Sequence, residues 1–196
     1  MNRRLVLPAL ACSLALAVAA AAASSATAPR AIPWSKLGRL HTGPPPWNND
    51  AAGLTKKRLQ LLGLSPLPQE GTVLHIHQHL DLYVNARKVT LPAYVGINFA
   101  QQFITEVHTH DTTGVIHVES PKQRDFTLGQ LFGEWGVKLT ADCVGRYCGH
   151  VQFWVNGQRV GGDPSLLVLR PHQEIAIAAG PPPLVVPKSY AFPAGE

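Results

Sequence analysis

The chain has 196 residues, of which 45% are hydrophobic, and a formal net charge of +5 with its nine histidines neutral. This length and composition predict one globular domain with terminal segments, large enough to bury a hydrophobic core. The basic residues are scattered along the chain, whereas proteins that bind nucleic acids concentrate them on one face. We therefore expect no nucleic-acid partner.

Residues 1–28 have the features of a signal peptide. Arg3 and Arg4 precede the apolar run 5–23, and Ala26-Thr27-Ala28 offers a cleavage site. An uncleaved anchor is the alternative, because this run is about as long as a membrane span, but its alanine content favours cleavage. Loss of the segment would leave 15 basic and 12 acidic residues, a charge of +3. We expect export across the cytoplasmic membrane to a secreted, periplasmic or cell-surface location, with membrane contact only through this segment if it is retained.

Export places the remaining cysteines, Cys143 and Cys148, in an oxidising compartment. Two cysteines in an exported chain are typical of a disulfide, which here would close a small loop and stabilise by only about 2 kcal/mol. The alternative is metal ligation by thiolates beside His150.

Composition divides the rest of the chain into three parts. Residues 29–53 form a proline-rich lead-in, expected to run extended over the surface, and 181–196 form a proline-rich tail. Between them, 54–180 is predicted to be a single histidine-rich β domain. Capping signals predict two short helices, near 55–63 with Thr55 as its cap, and at 127–135 with a capping box of Thr127 and Gln130.

The segment 73–85 is predicted to be an amphipathic strand. Its odd positions carry His75, His77, His79 and Asp81, whereas its even positions are apolar apart from Gln78. On a strand, residues i and i+2 can reach one ion, but i and i+4 lie about 13 Å apart. At most two adjacent histidines of the three can therefore bind the same metal.

The segment 106–119, EVHTHDTTGVIHVE, is predicted to be a hairpin. A turn centred on Thr112 and Thr113 pairs residues whose numbers sum to 225, so that three pairs project from one face. These pairs are Glu106 with Glu119, His108 with His117, and His110 with Val115.

The chain contains an internal similarity of eleven residues, in which 79–89 matches 150–160. Each copy enters a tight turn, at Asn85 or at Asn156-Gly157. A final strand is predicted at 174–178. Together these elements predict an α+β, mainly β domain with an antiparallel or mixed sheet, either β-grasp-like or sandwich-like.

Five segments, RLQLLGL, HIHQHLDLYVN, HTHDTTGVIHVES, FTLGQLFGEWGV and FWVNG, resemble a family of uncharacterised exported bacterial proteins. The similarity covers most of residues 54–180 and implies export and a shared histidine-rich core, with no established activity. Family members commonly carry glycine after the first Tyr-Val-Asn, where this chain has Ala86, a change predicted to alter that turn. Separately, the VNG…EIAI pattern resembles the last strands of β-grasp domains.

The histidines predict a metal site, because two imidazoles from one strand are a common ligand arrangement. The candidate ligands are His108, His110 and His117, completed by one or two of His75, His77 and His79. The candidate orienting or additional groups are Asp111, Glu106, Glu119 and Asp81. Imidazole ligands favour copper or zinc, with iron next.

Three functions agree with this pattern. The first is an exported domain that stores, carries or senses copper or zinc. The second is a metalloenzyme with an open three-histidine or two-histidine-carboxylate site. The third is a structural or interaction domain without metal, whose histidines respond to pH. The sequence leaves its protein partners open.

Overall fold

The structure is a computed structural model, and it describes residues 28–196. The predicted signal peptide, apart from Ala28, lies outside the described residues. In the described part of the chain, none of the helices has the length and apolar character needed to cross a membrane.

The elements follow one another in a mainly β order. The helices are α1 (Lys56–Leu62) and α2 (Leu128–Trp135). The strands are β1 (Leu74–Val84), β2 (Arg87–Val89), β3 (Ile97–Asn98), β4 (Phe103–Ile104), β5 (Val107–His108), β6 (Val115–Ser120), β7 (Cys143–Val144), β8 (Tyr147–Cys148), β9 (Val151–Val155), β10 (Gln158–Val160) and β11 (Glu174–Ala179).

One seven-stranded mixed sheet organises the domain. Its strand order is β10-β9-β11-β1-β6-β5, and β2 also pairs with β1. The central strands β1 and β11 are parallel, and their neighbours β6 and β9 pair with them in the antiparallel sense. The α+β, mainly β prediction is confirmed. The sheet is mixed, one of the two sheet types predicted.

Strand β1 divides the two faces of the sheet, as its alternating sequence predicts. Its even residues Leu80 and Leu82 are fully buried, and they belong to the same core as Phe132 and Trp135 of α2. Its odd residues carry the histidines to the opposite face. Gln78 is the polar exception among these even residues and is also fully buried. Both polar atoms of its side-chain amide lack hydrogen-bond partners among residues 28–196.

Both predicted helices are confirmed, and local signals explain where they begin. The Thr55 hydroxyl accepts a hydrogen bond from the Arg58 N–H at 3.2 Å, which caps α1. At α2, the Gln130 side-chain oxygen accepts from the Thr127 N–H at 2.8 Å, one half of the predicted capping box.

The proline-rich lead-in contributes to the core instead of running only over the surface. Ile32, Leu37 and Trp47 are buried. The Trp47 and Trp135 rings meet edge to face with centroids 5.9 Å apart, and the Trp135 indole N–H donates to the Trp47 carbonyl at 2.9 Å. Isolated apolar residues among prolines carry no periodic signal, so this packing had no signature in the sequence.

Cys143 and Cys148 form a disulfide between β7 and β8, as predicted. Because each sulfur is bonded to the other, neither is a thiolate ligand beside His150. The histidine face therefore offers nitrogen and oxygen donors only.

The backbone of the turn between β1 and β2 is strained at Ala86, and this strain should lower the stability of the fold. Asn85 and Ala86 both have positive φ, 49° and 63°, the pattern of a type I′ turn, in which glycine suits the second position. We expect Ala86→Gly to raise the free energy of unfolding by about 0.5–1 kcal/mol, because the left-handed penalty of alanine exceeds the extra chain entropy of glycine. Urea denaturation measures this.

The matched control for that turn is Gly157→Ala in the β9–β10 hairpin, where φ is 75°. It should destabilise, since an added Cβ would also lie 2.5 Å from Lys188 Cγ. A gain in stability from Gly157→Ala, or a loss from Ala86→Gly, would contradict this reading of the two turns.

Glu134 of α2 is a fully buried carboxyl group whose oxygens have no hydrogen-bond partner among residues 28–196. Burial raises its pKa well above the ordinary 4.5, and the nearby charge of Glu106 adds to this. The folded state therefore holds a proton that the unfolded state releases. Stability should fall as pH rises from about 4.5 towards the raised pKa.

We expect Glu134→Gln to remove that dependence. The difference in unfolding free energy between the variant and the original chain should be constant below pH 4 and should grow in favour of the variant as pH rises above 4.5. Denaturant unfolding at a series of pH values measures it. A difference that stays constant throughout would show that Glu134 ionises at an ordinary pKa.

Candidate metal centre

The β5–β6 hairpin brings two histidines together. His108 pairs with His117 across the two strands, so the predicted register is confirmed, and their rings stack with centroids 5.3 Å apart. Asp111 stabilises the turn, because its carboxylate accepts hydrogen bonds from the Thr113 N–H at 2.8 Å and from the Thr113 hydroxyl at 2.5 Å. Asp111 therefore shapes the hairpin from outside the histidine cluster.

Four potential ligands converge beside this pair. Their donor atoms all lie within 4.8 Å of one another, and they belong to His108, His110, His117 and Glu119. The Nε2 atoms of His108 and His110 are 3.2 Å apart, and Glu119 approaches His117 Nδ1 at 3.3 Å and His108 Nε2 at 3.8 Å. All are buried except His110, whose side chain is 40% exposed. This group is called the hairpin cluster below.

The backbone fixes His108 in the form that a metal requires. His108 Nδ1 lies 2.9 Å from the Thr105 carbonyl oxygen, which accepts only, so Nδ1 carries the proton and Nε2 presents its lone pair to the cluster. Burial lowers the pKa of His108 to about 3, against a smaller opposing effect of Glu119. The ring is therefore neutral at physiological pH.

A second group lies on the other side of β6. The antiparallel register places His77 opposite His117 and His75 opposite Glu119. His75 Nε2 and His77 Nε2 lie 3.4 Å and 3.8 Å from Glu119 Oε1. Burial, together with the neighbouring His117 and His75, lowers the pKa of His77 to about 4. His75 and His77 with Glu119 form the strand cluster.

His79 belongs to a third group, with Asp81 and Glu174, and its ring nitrogens already have hydrogen-bond partners. Nδ1 lies 2.7 Å from a Glu174 oxygen and Nε2 lies 3.0 Å from the Thr113 carbonyl. Burial raises the pKa of Glu174. The ring also stacks on Tyr190 of the tail at 3.8 Å. Both ring nitrogens of His79 are therefore already engaged in contacts within the protein.

The remaining predicted groups lie elsewhere. Glu106 does not face the histidines, because its carboxylate accepts from the Ser65 N–H at 2.7 Å and from Arg124 at 3.3 Å. Asp81 is paired with Lys88.

Two carboxylates at the histidine face were not predicted. Glu70 lies 3.3 Å from His110 Nε2, and Glu174 bonds His79. Glu174 begins the predicted final strand, so pairing that strand beside 73–85 would have found it. Glu70 lies in an irregular segment with no pattern to indicate it.

Glu119 is the electrostatic centre of the two clusters. Burial acts to raise its pKa, but the hydrogen bond with His117 and the charges of the nearby histidines lower it overall. Its Oε2 has no hydrogen-bond partner among residues 28–196, and His77 and His108 are neutral at pH 7. A buried carboxylate oxygen without a hydrogen-bond partner is in an environment that a cation stabilises.

Comparison with known proteins yields no relative for this chain. No family model matches it, and neither the curated proteins nor the solved structures contain a match. The geometry alone defines the class: a mainly β domain with buried groups of histidine and glutamate that could hold a metal ion.

Proposed function

We propose that this protein is an exported domain that binds copper or zinc, with the hairpin cluster as its principal site. The observation that carries the proposal is the convergence of three imidazoles and one carboxylate within 4.8 Å. Ligands of one zinc ion lie at most about 4.2 Å apart, since each bond is about 2.1 Å long. Only small side-chain movements separate the structure from a four-ligand shell.

The donor set supports copper or zinc over harder ions. Three imidazole nitrogens with one carboxylate oxygen suit zinc and copper, whereas magnesium and calcium prefer oxygen throughout. The hydrogen bond from His108 to the Thr105 carbonyl is the kind of outer contact that orients a metal-bound histidine.

The solvent access of the hairpin cluster and the signs of export support a protein that carries, stores or senses the metal. His110 is partly exposed and lies at the solvent edge of the cluster, which gives an ion a route in and out. The N-terminal features of a signal peptide and the Cys143–Cys148 disulfide agree with export.

A metal-dependent enzyme is the second candidate, because the same exposed edge leaves room for water or a substrate on the ion. Loss of one ligand position to solvent would give the open three-histidine site that such enzymes use.

The test is a titration of the metal-free protein with zinc and with copper(II), followed by calorimetry and elemental analysis. We expect tight binding of at least one ion per chain. The variant His108→Ala plus His117→Ala should lose at least about 100-fold in affinity. The control His150→Ala, which removes a histidine that belongs to none of the groups of potential ligands, should bind as the original chain does. If the original protein takes up neither metal, the proposal is wrong.

A further inference from the structure

We propose that the site is a two-ion centre in which Glu119 bridges the hairpin cluster and the strand cluster. This rests on the proposed function, and it assigns a second ion to His75 and His77. The two clusters share one residue, Glu119, and its two oxygens are directed towards different histidines.

The oxygens of Glu119 divide the histidines between them. Oε1 lies 3.4 Å from His75 Nε2 and 3.8 Å from His77 Nε2, whereas Oε2 lies 3.8 Å from His108 Nε2. His117 Nδ1 is 3.3 Å from Oε1, between the two sides. Oε2 is buried, with no hydrogen bond to any residue from 28 to 196. An ion on each side would give both oxygens a partner.

The sheet register produces this arrangement. Strand β6 lies between β5 and β1, so a side chain on its histidine face can reach ligands from both neighbours. His117 has His108 on one side and His77 on the other. Its ring centroid is 4.6 Å from that of His77 and 4.4 Å from that of His110. The five imidazoles therefore form a continuous group around one carboxylate.

A single ion cannot use all of these ligands. His75 and His77 share a group of donor atoms within 4.8 Å with Glu119, but neither shares such a group with His108 or His110, whereas the ligands of one ion lie within about 4.2 Å of one another. A carboxylate-bridged pair with ions about 3.5–4 Å apart matches this division into two groups. The hairpin ion would have three imidazoles and one oxygen. The strand ion would have two imidazoles and one oxygen, with water completing its shell at the exposed side of His75, whose side chain is 48% exposed.

The experiment is a copper(II) titration of the purified protein, followed by elemental analysis and electron paramagnetic resonance. We expect two ions per chain, the second binding more weakly, and a spin-coupled spectrum with a half-field transition at full loading. The variant His75→Ala plus His77→Ala should bind one ion, with the first affinity within about threefold of the original, and should show an uncoupled spectrum. Glu119→Gln should abolish the coupling.

The outcomes separate the two proposals. One ion per chain in the original protein would overturn the two-ion centre and leave the metal-binding proposal intact. No bound ion would overturn both. Two ions without spin coupling, or coupling that survives in Glu119→Gln, would overturn the bridging role of Glu119.

Discussion

Replacing His108 by alanine is expected to weaken zinc binding by more than about 100-fold, beyond the 10–100-fold loss typical of groups that only orient a ligand. His108 is fully buried, and its free nitrogen Nε2 is directed towards His110 and Glu119. The remaining ligands would form a site with fewer ligands and a distorted geometry.

Thermal unfolding at fixed free zinc measures this effect. At a concentration of 100 times its Kd, zinc should stabilise the original protein by about 2.7 kcal/mol, which raises Tm by roughly 5–11 °C for a chain of this size. A variant bound 100-fold more weakly would gain about 0.4 kcal/mol at the same concentration, a shift of roughly 1–2 °C.

His79→Ala is the matched control for His108→Ala. His79 is also a buried histidine of the same sheet face, but its nitrogens are bonded to Glu174 and the Thr113 carbonyl. The variant should unfold at a lower temperature without metal and still show the full zinc-induced rise. If both variants lost the zinc-induced rise in Tm equally, any disturbance of the histidine face of the sheet would abolish zinc binding. That result would remove the evidence for His108 as a ligand.

The local part of the candidate site was predictable from the sequence. Strand alternation and a symmetric turn place His108 opposite His117, because both constraints act within fourteen residues of chain. The same alternation correctly separated His79 from His75, since four residues of strand span about 13 Å.

The long-range part was not predictable. Whether β1 pairs with β6, and in which register, depends on closing a connection of about thirty residues, and no local pattern determines it. That register, His77 opposite His117 and His75 opposite Glu119, makes Glu119 the shared residue. Sequence reasoning treated Glu106 and Glu119 as equivalent partners of one hairpin.

Glu106 shows where a prediction based on strand alternation fails. The strand β5 has only two residues, Val107–His108, so alternation does not extend to its neighbour. The backbone still pairs there, since the Glu119 N–H donates to the Glu106 carbonyl at 2.8 Å, but the side chain turns towards Ser65 and Arg124. A prediction based on alternation is secure only as far as the strand continues.

Replacing Arg58 by methionine is expected to lower the free energy of unfolding by about 2–4 kcal/mol, because two carbonyl groups lose their charged hydrogen-bond donor. The Arg58 side chain is buried, with 2% exposure. Its Nε–H donates to the Leu37 carbonyl at 3.2 Å, and an Nη2–H donates to the Arg39 carbonyl. These bonds attach the lead-in to α1. Methionine fills a similar volume but leaves both carbonyl groups without their donors.

The control for Arg58→Met is Lys57→Met, which also replaces a cation by methionine but at an exposed position of the same helix, where an effect within about 0.5 kcal/mol is expected. Guanidinium chloride unfolding of both variants gives the comparison. Limited proteolysis adds a structural readout, because loss of the Arg58 bonds should make cleavage between residues 33 and 46 faster while the sheet stays intact. If Arg58→Met and Lys57→Met cost the same, the lead-in is held by its apolar contacts, chiefly the packing of Trp47 on Trp135. The buried guanidinium would then contribute no more than an exposed lysine.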